Sequence, residues 1–174
     1  MTMDEPLAWL IARELPQLRR FAALLTRDPQ AVDDLVQDCL ERALRKQHLW
    51  LRRGSLRSWL FRLLYRRYID QQRSARARSR LLVESDGDAP DPIQAPGQED
   101  SLAVANVLEA LARLPAEQRA AILLVGVEGL TYAEAARVLG VAVGTLRSRI
   151  SRGRDRLRLT WRPESRPLPL RRVK

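Results

Sequence analysis

The stretch LTYAEAARVLGVAVGTLRSRISRGRDRL, residues 130–157, restricts the fold more tightly than any other part of the chain. Thr131 offers a hydroxyl as an N-cap and Glu134 follows three residues later, the spacing of a reciprocal capping box. The helix they open is short, because Gly140 follows its last apolar position, Leu139, and can take the left-handed conformation that ends a helix. A second helix follows with an unusual composition: residues 140–157 hold five arginines against one acid, Asp155. Two helices joined by a glycine-containing turn form a helix-turn-helix.

Projected at about 100° per residue, Leu146, Ile150, Gly153 and Leu157 of the second helix fall within about 60° of one another. That seam must pack on the preceding helices. Thr145, Arg147, Ser148, Ser151 and Arg152 lie outside it, in the N-terminal part that enters the major groove in helix-turn-helix docking. Arginine pairs bidentately with guanine, while Ser and Thr hydrogen-bond less selectively, so these five are the candidate duplex contacts. Asp155 lies further along, where the helix leaves the groove. A solvated arginine-rich face on a plain bundle would account for charge alone. It does not account for the inserted glycine, the short capped helix, or twelve Lys+Arg against three acids across residues 131–174.

Upstream, apolar residues recur at helical spacing and no strand-like alternation competes. Leu7, Leu10, Ile11, Leu15, Leu18, Phe21, Ala22 and Leu25 predict a first helix. Pro29 suits the first turn of a second, which carries Val32, Leu35, Val36, Cys39, Leu40, Ala43 and Leu44. After a basic connection from His48 to Ser55, a third carries Leu56, Trp59, Leu60, Leu63, Leu64 and Tyr68. Pro115 opens a further helix that Gly126 and Gly129 loosen or end. Between residues 79 and 101, six acids accompany one base among Pro, Gly and Asp without periodicity, which reads as a flexible linker. The expected fold is all-α: two small helical domains, 5–78 and 102–160, joined by the linker 79–101 and followed by a basic tail, 161–174.

Charge indicates the partner. With 31 Lys+Arg, 21 Asp+Glu and a net charge of +10, a polyanion is favoured because neutralised phosphates release counterions. One cysteine and one histidine exclude an internal disulfide and supply no metal cluster, so neither a metal nor a cofactor is expected. The N-terminus has acids and a proline where a signal peptide needs bases and an apolar run. No apolar run approaches a membrane span. A cytoplasmic chain without membrane insertion is expected. An enzyme is not: there is no catalytic acid pair, phosphate-cradling glycine loop or metal motif.

The third helix and its approach add a second nucleic-acid signal. Between Arg52 and Arg78 stand nine arginines and one acid, Asp70, interleaved with Trp59, Tyr65 and Tyr68 and preceded by Trp50. Rings that stack on unpaired bases beside guanidiniums that hold phosphates make a single-strand platform. Trp59 and Tyr68 lie on the apolar seam and are assigned to the core, leaving Trp50 as the better candidate for exposure.

Taken together, DDLVQDCLERAL, LRSWLFRLLYRRYIDQQRSARAR and LARLPAEQRAAILLVGVEGLTYAEAARVLGVAVGTLRSRISRGRDRLR resemble the extracytoplasmic-function sigma factors of the bacterial sigma-70 family. The resemblance covers nearly everything but the linker and the two ends. It implies a region 2-like domain that melts and reads the promoter −10 element and a region 4-like domain that reads the −35 element as duplex. The implied partners are core RNA polymerase, promoter DNA and an anti-sigma factor. By motif, Asp34, Leu35, Gln37, Asp38 and Arg42 match the helix that docks on the polymerase. Trp50, Arg52, Arg53 and Trp59 match the loop that captures a flipped base and its edge. Arg66, Arg67, Gln71 and Arg73, with Asp70, match the helix continuing that surface.

This chain departs from the family pattern in four places. Tyr65, Arg66 and Arg67 stand where many members have Arg-Asn-Leu, and the loop before Trp59 is short. Ala142 replaces the usual Pro or Ser, and Ser151 replaces a bulkier ring. The alternative is a stand-alone helix-turn-helix regulator that dimerises on duplex DNA. It would need a dimerisation element that the sequence lacks, and it leaves the Trp-Arg domain unexplained.

Overall fold

The computed structural model describes residues 6–26, 28–50, 55–81 and 99–160. These form helices and short connections, with no strand among them. The expected linker segment 82–98, the tail 161–174, Arg52 and Arg53 lie outside the described residues. Helix α3 runs to Leu81 and α4 starts at Glu99, so helix enters both ends of the 79–101 stretch.

The first unit contains α1 (Leu7–Thr26), α2 (Pro29–Arg45) and α3 (Leu56–Leu81), with a 3₁₀ turn at Gln47–Leu49. Asp28 caps α2, its carboxylate accepting the Gln30 N–H at 3.0 Å, and Pro29 occupies the first turn, where its missing N–H costs nothing. The three helices close on Leu18, Phe21, Leu25, Leu35, Cys39, Leu60, Phe61 and Leu64. At the centre Phe21 and Phe61 meet edge to face, ring centroids 5.1 Å apart, which suits the aromatic quadrupole. Burial pushes the Cys39 thiol up to about 12, so it packs as a small apolar group at neutral pH.

The second unit contains α4 (Glu99–Ala112), α5 (Ala116–Ile122), a π turn at Leu123–Val127, α6 (Tyr132–Leu139) and α7 (Val143–Thr160). The capping box forms as the sequence predicts: Glu134 N–H donates to Thr131 Oγ1 at 3.2 Å, and Thr131 N–H donates to Glu134 Oε2 at 3.0 Å. Gly140 ends α6 with φ 67°, where a side chain would be strained. Leu146, Ile150 and Gly153 are buried and Leu157 half-buried, which is the expected seam. Gly153 lets α7 approach α5 closely, since a Cβ there would lie 2.6 Å from Ile122 Cδ1.

The units do not stand apart as modules on a tether. Helix α6 lies against α3, α5 and the π turn approach α1, and the buried core continues through both units. The reason is the breadth of the apolar stripe on α3. Leu60 and Leu64 face one way and Phe61, Tyr65 and Tyr68 another, more than α1 and α2 alone can cover. Polar contacts join the same seam: Arg119 Nη2 donates to the Tyr68 hydroxyl at 3.3 Å, and Glu128 meets Arg20 and Arg57.

Candidate nucleic-acid interface

Helix α7 carries the five predicted duplex contacts on the side away from its buried seam. Thr145, Arg147, Ser151 and Arg152 are exposed and Ser148 is half-buried. Ser148 donates to the Thr145 carbonyl at 2.8 Å, while Arg152 donates to the Ser148 carbonyl at 3.2 Å and to its hydroxyl at 3.1 Å. These bonds hold the Arg152 guanidinium along the helix. Arg147 lies over the Tyr132 ring, 5.9 Å from its centroid, at the start of α6.

Arg147 and Ser151 share a groove of 210 Å³ with Tyr132, Arg154, Asp155 and Arg158. Sequence reasoning missed Tyr132, Arg154 and Arg158 as members of this surface. The available signal was the position of Tyr132 just after the N-cap, where a helix-turn-helix brings the start of its first helix beside the second. Arg149 is withdrawn from the surface, paired with Glu117 at 2.6 Å and only 17% exposed. One of the five arginines therefore staples α7 to α5.

On the first unit, Trp50 is half-buried and stacks on Trp59, ring centroids 6.4 Å apart and planes 25° from parallel. Its expected exposure is thus only partial, because the Trp59 face offers an apolar neighbour. Its buried Nε1 has no hydrogen-bond acceptor. Trp59 is likewise half-buried, at the margin of the core. Arg66 and Arg73 are exposed and Gln71 is half-buried. Arg66 and Arg73 line a groove with Tyr65, Ile69 and Asp70, and its far wall is Val138, Leu139 and Gly140 of the helix-turn-helix. Burial pushes the Tyr65 hydroxyl up to about 12, so it stays a neutral phenol.

Arg67 is ion-paired with Asp38 of α2. A residue expected to face DNA and one expected to face the polymerase thus satisfy each other. Of the remaining docking candidates, Asp34 and Gln37 are exposed and Arg42 is half-buried. Leu35 departs from the expectation: it is 0% exposed within the core and can only support a docking face from beneath.

Among the described residues no cluster of His, Cys, Asp and Glu could hold a metal ion, and no helix is long and apolar enough to cross a membrane. Two helical units, one bearing a helix-turn-helix with an arginine-rich second helix and the other an arginine-aromatic helix, define a class of two-module nucleic-acid-binding protein.

Comparison with known proteins narrows the class. Residues 105–157 match the family model for sigma-70 region 4, and residues 11–65 match that for the sigma2 domain of PhyR. The ECF RNA polymerase sigma factor EcfG of Rhodopseudomonas palustris is 35% identical over 158 residues, covering 90% of this chain and 86% of EcfG. The sigma factor RpoE of Bartonella quintana, solved with the anti-sigma factor NepR, superimposes with a TM-score of 0.74 at 33% identity, covering 88% of this chain and 95% of RpoE. CnrH, solved with the cytosolic domain of CnrY, gives 0.63 at 28% identity, covering 87% and 84%. The chain belongs to the extracytoplasmic-function RNA polymerase sigma factors. It is a transcription initiation factor that binds core RNA polymerase and directs it to promoter DNA, in a family that is not a class of enzymes.

Proposed function

We propose that α7 reads the −35 element as duplex through Thr145, Arg147, Ser148, Ser151 and Arg152. The Trp50–Trp59 stack, Arg52, Arg53, Arg66, Arg67, Gln71 and Arg73 hold the separated −10 strand. Asp34, Gln37, Asp38 and Arg42 form the polymerase-docking face of α2, braced by Leu35. In this division residues 5–78 form the docking and melting domain, 79–101 the connector, 102–160 the −35 reader, and 161–174 a basic tail. The chain works in the cytoplasm, performs no covalent chemistry, and is held inactive by an anti-sigma protein. That last point rests on likeness to RpoE and CnrH, each solved with such a partner or its cytosolic domain.

The observation that carries this reading is the split of α7 into a buried seam, Leu146, Ile150 and Gly153, and an open face bearing Arg147, Ser151 and Arg152. A surface helix with no groove to read has no need of so many cations against one acid. The test adds the purified chain to sigma-free core polymerase and maps transcript starts. Specific start sites that depend on both promoter elements are expected. Tight, specific binding of duplex by the chain alone, with no start sites on core polymerase, would replace this reading with the stand-alone regulator.

A further inference from the structure

Glu128 is an acid of the second unit whose side chain is 0% exposed, and its partners belong to the first. Arg20 of α1 grips it with a two-pronged fork, Nε to Oε1 at 2.9 Å and Nη2 to Oε2 at 2.8 Å. Arg57, in the first turn of α3, adds Nη2 to Oε2 at 3.1 Å. The π turn contributes to this placement. Glu128 N–H reaches back five residues to the Leu123 carbonyl at 2.9 Å, and the extra residue turns the side chain away from the course an α-helix would give it. The cluster also holds Glu14, whose Oε2 lies 3.7 Å from Arg57 Nε; neither of those two atoms makes a hydrogen bond. Two cations and two acids balance, so withdrawing Glu128 leaves a net positive site with spare donors.

That site stands at the head of a track. Arg57, Phe61, Tyr65 and Tyr68 follow one another at helical spacing on one side of α3, spanning about 16 Å from Arg57 to Tyr68. The second unit covers this side: Arg119 bonds Tyr68, and the turn at Leu139 and Gly140 walls the Arg66–Arg73 groove. The Arg57 guanidinium is already braced over the Phe61 ring at 5.6 Å. A forked pair of guanidiniums takes the two oxygens of a carboxylate or of a phosphodiester in the same geometry. Arg57 also adjoins the Trp50–Ser58 stretch assigned above to the unpaired strand.

We infer that Arg20 and Arg57 form a phosphodiester clamp for the separated promoter strand, filled in the closed chain by Glu128 as an internal substitute for phosphate. Strand and second unit then compete for one anion site, and the chain masks its own strand-binding face until the units part. This rests on reading the α3 face as the strand surface, and the experiment separates the two.

The probe is fluorescent oligothymidylate, which presents phosphates and bases without a promoter sequence, bound to the full chain over a salt series. Glu128→Gln should bind about tenfold tighter than the unaltered chain, since a larger fraction is competent. Glu128→Lys, which repels both arginines, should act in the same direction if the amide variant stays closed. Adding R20Q and R57Q to E128Q should abolish the gain and lower the salt slope by about 0.7 for the phosphate released. No gain in either Glu128 variant overturns the inference. So does a gain that survives R20Q and R57Q but falls with R66Q and R73Q, which would leave the α3 reading intact. Binding indifferent to all four arginines would overturn that reading as well.

Discussion

Thr131 and Glu134 show how much a single pair decides. Their reciprocal bonds satisfy N–H groups that the first turn of α6 would leave open, and they fix where that helix starts. Thr131→Ala should lower unfolding stability by about 1 kcal/mol, read from the denaturation midpoint. The backbone N–H and hydroxyl of Thr131 hold the Glu134 carboxyl below its ordinary 4.5. Because the folded value lies below the unfolded one, this contribution is complete above pH 4.5 and fades as pH falls through the folded value. The acid-side loss should be smaller in Thr131→Ala than in the unaltered chain, and equal loss in both would remove the assignment. This pair, and Gly140 after it, could be read from sequence because capping and left-handed turns depend on neighbours only a few residues away.

At the scale of elements, α7 and α2 each divide into a buried and an open side, and predictions follow that division. Arg147→Ala and Arg152→Ala should each cost about 1–3 kcal/mol in −35 recognition if a base contact is lost, measured as transcription from promoters with and without that element. Arg149→Ala should instead lower stability, since its partner is Glu117 of α5 rather than DNA. On α2, Asp34 is exposed whereas Asp38 is tied to Arg67. Asp34→Lys should weaken polymerase capture in a pull-down with little change in melting temperature, while Asp38→Lys should change both. Unaltered capture by Asp34→Lys would count against the docking face. Helical period alone located the seam of α7. It did not show that Arg67 would meet Asp38, because those residues lie on different helices whose register depends on packing. Leu35 illustrates the same limit: a motif identifies the residue but not whether its side chain faces a partner or the core.

For the molecule as a whole, the closed seating of the two units governs behaviour. A core shared through α3 and α6 should unfold as one cooperative unit, giving a single calorimetric transition. Glu128→Lys should split that transition in two by setting like charges against one another at the seam. A single unchanged transition in the variant would show that apolar contacts alone hold the units together.

The sequence by itself determined the helices, their caps, the arginine-rich reading face and the polyanionic partner, since each follows from local spacing or from total charge. Only the tertiary structure decided which arginines stay open, which are consumed by Glu117, Asp38 and Glu128, and that the two units share a core. Those outcomes depend on groups up to 108 residues apart being brought within hydrogen-bond reach, as Arg20 and Glu128 are. No local pattern records such a distance. It is set when the broad apolar stripe of α3 is covered from both sides.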